Sequence, residues 1–401
     1  MKSNELPLFK HMNLGMPTPQ GLPLLRLGFR PFYLGGALLA AVIVPLWIAL
    51  FLGQMQLATS VPPLLWHAHE MLFGFAVSII VGFLLTAGKN WTGLATSRGP
   101  ALGALALVWL SARVTAVVGP YQLYMVLDMA LLPLVAGVLV NILLRSRNHR
   151  NLPLAVILVL LAAANAVFHL AVSGMLNVSA ITPLYAALGL IVMIECVMAG
   201  RVIPAFTMAV TPGLKLVADK RNEWVTLGLT GLGLALWVFV PASLFGMLVL
   251  ALASGLQLKR WLGWRPWMTK NRPVLWILHA AYAWFPVGLA LLALAQIGIV
   301  TVSAGVHALA VGATGGLIIG MVTRTARGHT GRPIQASKLE VLAYILVMLA
   351  AVLRVFLPLV SPELLMLSLV AAATAWSVAF MLYLWVFTPW LIRTRLDGKD
   401  G

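Results

Sequence analysis

Eight histidines stand in this 401-residue chain, and six of them lie in or beside long apolar stretches. His67 and His69 open one stretch, His169 closes another, and His307 stands six residues into a third. His279 lies in a fourth, and His329 follows the third. Imidazole is a common ligand of heme iron and copper. A bis-imidazole heme b between two helices needs only one histidine from each. Glu70 and Glu195 are carboxyls inside apolar stretches, the residue type that carries protons where water is absent. Glu70 also lies three residues after His67, placed to orient a ring nitrogen. The bland reading of any one such histidine is a hydrogen-bonded core side chain. His11 and His149 lie among charged residues and read as solvated.

Spacing limits what these residues can do together. On a helix, two positions is about 200° of rotation, so His67 and His69 point to opposite faces. They serve two sites, or one of them is structural. Aligning His69 with His307 without gaps pairs Gly74 with Gly312, Ile80 with Ile318, Gly82 with Gly320, Thr92 with Thr330 and Gly93 with Gly331. In that register His69 and His307 are equivalent positions, placed as opposing axial ligands. The glycines would let a flat macrocycle approach, and helix packing explains them equally well.

The elements that hold these residues follow from composition. Hydrophobic residues make up 61% of the chain, charged residues 9%, and mean hydropathy is +0.99. Soluble domains are about a quarter charged, so the chain is an all-α integral membrane protein and its first partner is the lipid bilayer. Membrane barrels alternate apolar and polar residues, and these runs do not. The single cysteine, Cys196, leaves no intramolecular disulfide, cysteine-ligated cluster or Cys-rich zinc site. No phosphate-binding glycine loop, HExxH or Gly-x-Ser-x-Gly turn is present.

Twelve transmembrane helices are expected, over 29–53, 64–87, 101–118, 121–144, 152–174, 180–209, 224–240, 243–258, 274–297, 301–323, 339–357 and 363–387. Each is about 20 residues, enough for a ~30 Å hydrocarbon core. The formal charge of +17 becomes a topology. Of 27 Lys and Arg, 24 fall before or at the very start of the first span, after even-numbered spans or in the tail. Both termini are therefore expected in the cytoplasm, with a membrane domain over 29–390 between cytoplasmic segments 1–28 and 391–401. A charge excess of this kind does not point to nucleic acid. Three arginines remain inside spans: Arg113, Arg201 and Arg354. Folding about Gly119-Pro120 brings Arg113 within a helical turn of Asp128, an expected ion pair. Arg354 suits a heme propionate or an interfacial phosphate. Arg324 and His329, in the loop after the tenth span, suit a propionate or an anionic redox donor, or simply lipid headgroups.

Four stretches carry a resemblance. WHAHEMLFGFAVSIIVGFLLTAGKNWTG (Trp66–Gly93), GFRPFYLGGAL (Gly28–Leu38), RVIPAFT (Arg201–Thr207) and HALAVGATGGLIIGMVTRTARGHTGRP (His307–Pro333) resemble the NnrS family. The resemblance covers nearly the whole chain. It implies a twelve-helix protein of the bacterial inner (cytoplasmic) membrane, containing heme and copper and protecting against nitric oxide and nitrosative stress. His67, His69, His307 and His329 stand inside the matching motifs. A looser resemblance is to heme–copper oxidases and the related nitric oxide reductases, whose low-spin heme ligands lie on helices 2 and 10. Their second metal uses histidines of helices 6 and 7, and here those spans offer only Glu195, Cys196 and Arg201.

The expected function is binding and detoxification of nitric oxide at a buried heme, by reduction to nitrous oxide, as a membrane oxidoreductase fed by an unidentified electron donor. Glu70 and Glu195 are the candidate proton carriers. His67, His69, His169 and His307 are candidate metal ligands, and His279, Arg113 and Arg354 candidate cofactor contacts. Copper or a second heme is the candidate further cofactor. The alternatives are a transporter of copper, heme or a small anion, and a non-catalytic nitric oxide sensor.

Overall fold

The computed structural model describes residues 21–56, 61–216 and 219–399, and these contain helices and no strand. His11 lies outside the described residues. The long helices are α1 (Phe29–Phe51), α2 (Pro63–Thr92), α3 (Pro100–Val118), α4 (Tyr121–Arg145), α5 (Leu152–Val172), α6 (Ile181–Val210), α7 (Lys220–Phe239), α8 (Leu244–Gly263), α9 (Pro273–Gln296), α10 (Val302–His329), α11 (Lys338–Val360) and α12 (Leu365–Leu391). Ten of these are long and apolar enough to cross a membrane by length and composition. The other two are α7 and α8. Each has 20 residues, but α7 opens on Lys220, Arg221, Asn222 and Glu223, and α8 closes near Lys259 and Arg260. The chain is a multi-pass membrane protein, with apolar side chains such as Val126, Leu160 and Leu248 exposed along its outside.

Local signals set the helix ends. Proline opens α2, α3 and α9, where its missing N–H costs nothing. Asp219 caps α7 by accepting from the Arg221 and Asn222 amides, and Ser337 with Glu340 forms a capping box on α11.

The helices fall into three successive groups of four. In each, the first packs on the second and the third on the fourth; α4 then packs on α5, α8 on α9, and α12 closes the ring on α1. The second helices, α2, α6 and α10, have 30, 30 and 28 residues. α6 touches both α2 and α10, which are the most enclosed of the spans. Arg30 at the start of α1 donates to the carbonyls of Leu391 (2.7 Å) and Arg393 (2.8 Å), so the chain enters and leaves at the same end of the bundle. The other end, where α2 and α10 begin, is called distal below.

α2 and α10 share a second feature. Each changes to π-helical geometry directly after a histidine, over Glu70–Ala76 after His69 and Ala308–Gly315 after His307. Such segments widen a helix locally and are frequent at functional sites. Gly93 and Gly331, just past the two helix ends, both take left-handed φ, at +71° and +75°. The gapless register of the two stretches is therefore also a register of backbone.

Several sequence expectations need correction. α2 and α10 run past their apolar stretches, so His329 is the last residue of α10 and not part of a loop. Arg260 lies within α8 and is buried, not a loop charge. Arg26, Arg30 and Arg327 are buried too, whereas of the three arginines expected inside spans Arg113 is buried and Arg201 and Arg354 are half-buried. Charge near a span end marks topology, and here Arg30, Arg260 and Arg327 also turn inwards from their helices onto partners.

Candidate functional site

A cavity of about 290 Å³ opens among α1, α2, α6, α10, α11 and α12 toward the distal end. Its walls are nearly all aliphatic or aromatic, and its polar groups come from His67, His307, Arg354, Ser303, Tyr185 and Thr314. His307 Nδ1 donates to the Ser303 carbonyl one turn back, at 2.8 Å. That bond fixes the tautomer and leaves Nε2 as the ring's electron-pair donor. The His67 ring stacks on Trp47 with centroids 4.3 Å apart, and its buried Nδ1 has no hydrogen-bond partner. Arg354 Nη2 donates to Ser303 Oγ at 3.0 Å. Two imidazoles from facing helices, an orphaned ring nitrogen, apolar walls and one guanidinium fit a metal-bearing, anionic, flat group such as heme. The volume stands at the lower edge of the roughly 300–1,000 Å³ usual for ligand pockets.

His69 is on the opposite side of α2, in a buried polar cluster with α3, α4 and α5. Its Nε2 donates to Asn165 Oδ1 (2.9 Å) and lies 3.2 Å from Asp128 Oδ2. Its Nδ1 accepts from Tyr124 Oη at 2.9 Å. Asn165 Nδ2 and His169 Nε2 also donate to Asp128 Oδ2, at 2.7 and 3.1 Å. Tyr121 Oη donates to His169 Nδ1 at 3.1 Å. Arg113 bridges the two carboxylates: Nη1 donates to Glu70 Oε1 at 2.7 Å and Nη2 pairs with Asp128 Oδ1. The pair expected across Gly119-Pro120 is thus present. Gly74 gives it room, since a Cβ there would lie 3.0 Å from both Arg113 Nη1 and Glu70 Oε2.

This cluster is chemically two-sided. His69, Asp128 and His169 each offer one ligand atom, all within 4.8 Å of one another. Zinc or copper would take such a set once both Nε2 protons leave. With those protons in place, the same atoms form a closed hydrogen-bond network. Glu70 and Asp128 face the single guanidinium of Arg113, so the cluster holds one carboxyl more than it has arginines.

The remaining residues singled out in the sequence are dispersed. His69 and His307, read as opposing ligands, are not brought together; His67 shares the cavity with His307 instead. Glu195 accepts from Thr314 Oγ1 at 2.9 Å and lines a second cavity of about 90 Å³. His279 donates through Nε2 to Thr207 Oγ1 at 3.0 Å, away from both histidine groups. Arg201 donates to Asn151 Oδ1 at 2.7 Å. Arg324 stacks its guanidinium 3.5 Å above the Phe206 ring, and the His329 ring lies 5.3 Å from that of Phe29.

Sequence reasoning missed the partners. Asn165 lies four residues before His169, Ser303 four before His307 and Tyr124 four before Asp128. Each pair shares a helix face. A polar residue one turn from a buried histidine or aspartate was the available signal. It also missed a network around Arg260, which pairs with Glu223 and donates to Cys196 O (3.0 Å) and Tyr282 Oη (2.7 Å). No one-turn spacing marks that set, because its members come from four helices.

The family model described as NnrS protein matches residues 23–395, nearly the whole chain. No curated protein matches it.

Proposed function

The chain belongs to the NnrS family, linked to the nitric oxide response, and from that premise we propose that it binds nitric oxide in the His67–His307 cavity and removes it. The observation that carries this reading is the cavity itself: apolar walls around two imidazoles, one with its tautomer fixed by the Ser303 carbonyl. Nitric oxide is small and apolar, so a cavity buried in lipid receives it without a polar channel.

The resident group is proposed to be heme b, held by His67 and His307 with Arg354 against a propionate. Bound there, it supplies the redox chemistry. The chain's own residues bind and orient it, exclude water and bring protons. Reduction of two nitric oxide molecules by two electrons and two protons gives one nitrous oxide and one water. The electrons come from a one-electron donor protein or a membrane-soluble carrier. The His69–Asp128–His169 cluster is the proposed place for copper. His279 donates its ring Nε2 to Thr207 and accepts from Trp261 Nε1 at its carbonyl, and Arg324 is engaged with Phe206. Both are therefore read as structural, and donor docking is left to the other basic residues of that end.

We also propose twelve spans, adding α7 and α8. At ~1.5 Å per residue each is about 30 Å long, and they pack along α6 and α9, which qualify as spans. Charge alternation then puts both termini in the cytoplasm of a bacterial inner membrane. Three four-helix groups, each with an even number of helices, all enter from one side. That differs from the inverted halves of many transporters. The direct test is nitric oxide uptake by the purified, reduced protein, followed with an electrode. Uptake in proportion to protein supports the reading, and its absence rejects it.

A further inference from the structure

Two cavities lie in the bundle, and a hydrogen bond joins a residue that lines one to a residue that lines the other. Thr314 of α10 lines the larger, and Glu195 of α6 lines the smaller. Thr314 Oγ1 donates to Glu195 Oε2 at 2.9 Å across the wall. The smaller cavity lies nearer the end that holds the termini, bounded by Tyr33, Phe83 and Met321. The larger carries the basic groups His67, His307 and Arg354. Among the described residues, Glu195 is the one carboxyl lining either cavity.

The Thr314 hydroxyl is set differently from those of several other buried helical threonines. Thr86, Thr207, Thr323 and Thr330 all donate to the carbonyl four residues back, at 2.6 to 3.0 Å. That is the ordinary resting bond of a buried helical threonine. Thr314 lies inside the π segment Ala308–Gly315 and instead points its hydroxyl at Glu195. When Glu195 is protonated the bond can reverse, the hydroxyl accepting from the carboxyl and turning its own proton toward the larger cavity. Glu70 has no such freedom: it is held by the Arg113 guanidinium, on the far side of α2 from the cavity.

We propose that Glu195 and Thr314 form the proton relay between the two cavities, carrying protons from the end that holds the termini to the His67–His307 cavity. This rests on the reading of the larger cavity as the place where nitric oxide is consumed, at one proton per molecule. Few titratable groups surround the relay. α1 presents Tyr33, and α10 presents Thr314 itself. The neighbouring Cys196 is turned away, toward Gln257 of α8. In the larger cavity His67, His307 and Arg354 hold the proposed redox group, so the proton's acceptor there is the nitric oxide being reduced.

Glu195→Gln, Glu195→Asp and Thr314→Val test the relay in the full chain, with two readouts. The first is sustained nitric oxide consumption with its solvent deuterium isotope effect. Glu195→Gln and Thr314→Val should each slow it by about 10²-fold, the usual worth of a positioned proton carrier. Glu195→Asp should restore most of the rate, and the cofactor spectrum should be unchanged in all three. The second is the infrared C=O band of the Glu195 carboxyl on exchange into D₂O. It should vanish in Glu195→Gln and shift in Thr314→Val, with or without turnover. Wild-type rates in Glu195→Gln, or a Glu195 band indifferent to Thr314→Val, would overturn the relay. No consumption by the wild type would reject the reading of the cavity instead, and the infrared readout would then decide the relay alone.

Discussion

His67 and His69 stand two residues apart on α2 and serve different sites. His67 lines the apolar cavity with His307, while His69 donates to Asn165 at 2.9 Å in the polar cluster with Asp128. One turn of helix thus feeds two chemistries through opposite faces.

That separation predicts two different mutants. His67→Ala should abolish the low-spin cofactor signal of the cavity yet leave the bundle folded, because its Nδ1 has no protein partner to strand. His69→Ala should leave polar partners unpaired in the interior, at a cost of about 1–3 kcal/mol for each group stranded. Thermal melts in detergent together with optical spectra separate the two. Equal loss of stability in both mutants would contradict the division.

Arg113 holds Glu70 and Asp128 together from α3, α2 and α4. Removing one member of a buried pair leaves an uncompensated charge and typically costs about 3–5 kcal/mol. Arg113→Ala should therefore lower the melting midpoint far more than Arg201→Ala, whose partner is the neutral Asn151. A double change of Arg113→Met with Asp128→Asn should recover part of the loss. Chemical unfolding of the detergent-solubilised protein measures both.

If the His69–Asp128–His169 set holds copper, His169→Ala should remove one metal equivalent by elemental analysis while the His67–His307 signal persists. A chelator should then lower the melting temperature of the wild type and not that of the mutant. Equal metal content in both would show that the cluster is a hydrogen-bond network alone.

Arg324 lies flat over Phe206, and such a contact is worth about 0.5–2 kcal/mol. Arg324→Ala should cost that much in stability and leave the salt dependence of electron delivery unchanged. A change in salt dependence at constant stability would instead assign Arg324 to donor docking.

Membrane class and helix positions were legible in the sequence because apolar runs and charge alternation are properties of single segments. The likeness of α2 to α10 was legible too, and it reappears as paired π segments and paired left-handed glycines. Its consequence was not. Equivalent register put His69 opposite His307, but rotation about α2 decides which histidine faces which neighbour, and packing against α3–α5 sends His69 the other way. Arg260 shows the same limit. Its charge looks like a topology signal until Glu223 and Tyr282 close on it from other helices. Thr314 was invisible as a functional group, since nothing in the sequence shows that its hydroxyl turns away from its own helix.

The central claim is that His67 and His307 hold a redox group between α2 and α10. Its most direct test is the optical and EPR spectrum of the oxidised and reduced protein, taken for the wild type, His67→Ala, His307→Ala and His69→Ala. The expected result is a low-spin heme signal in the wild type and in any folded His69→Ala protein, lost or converted to high spin in His67→Ala and His307→Ala. A low-spin signal retained in both cavity mutants, or no heme signal in the wild type, would contradict it.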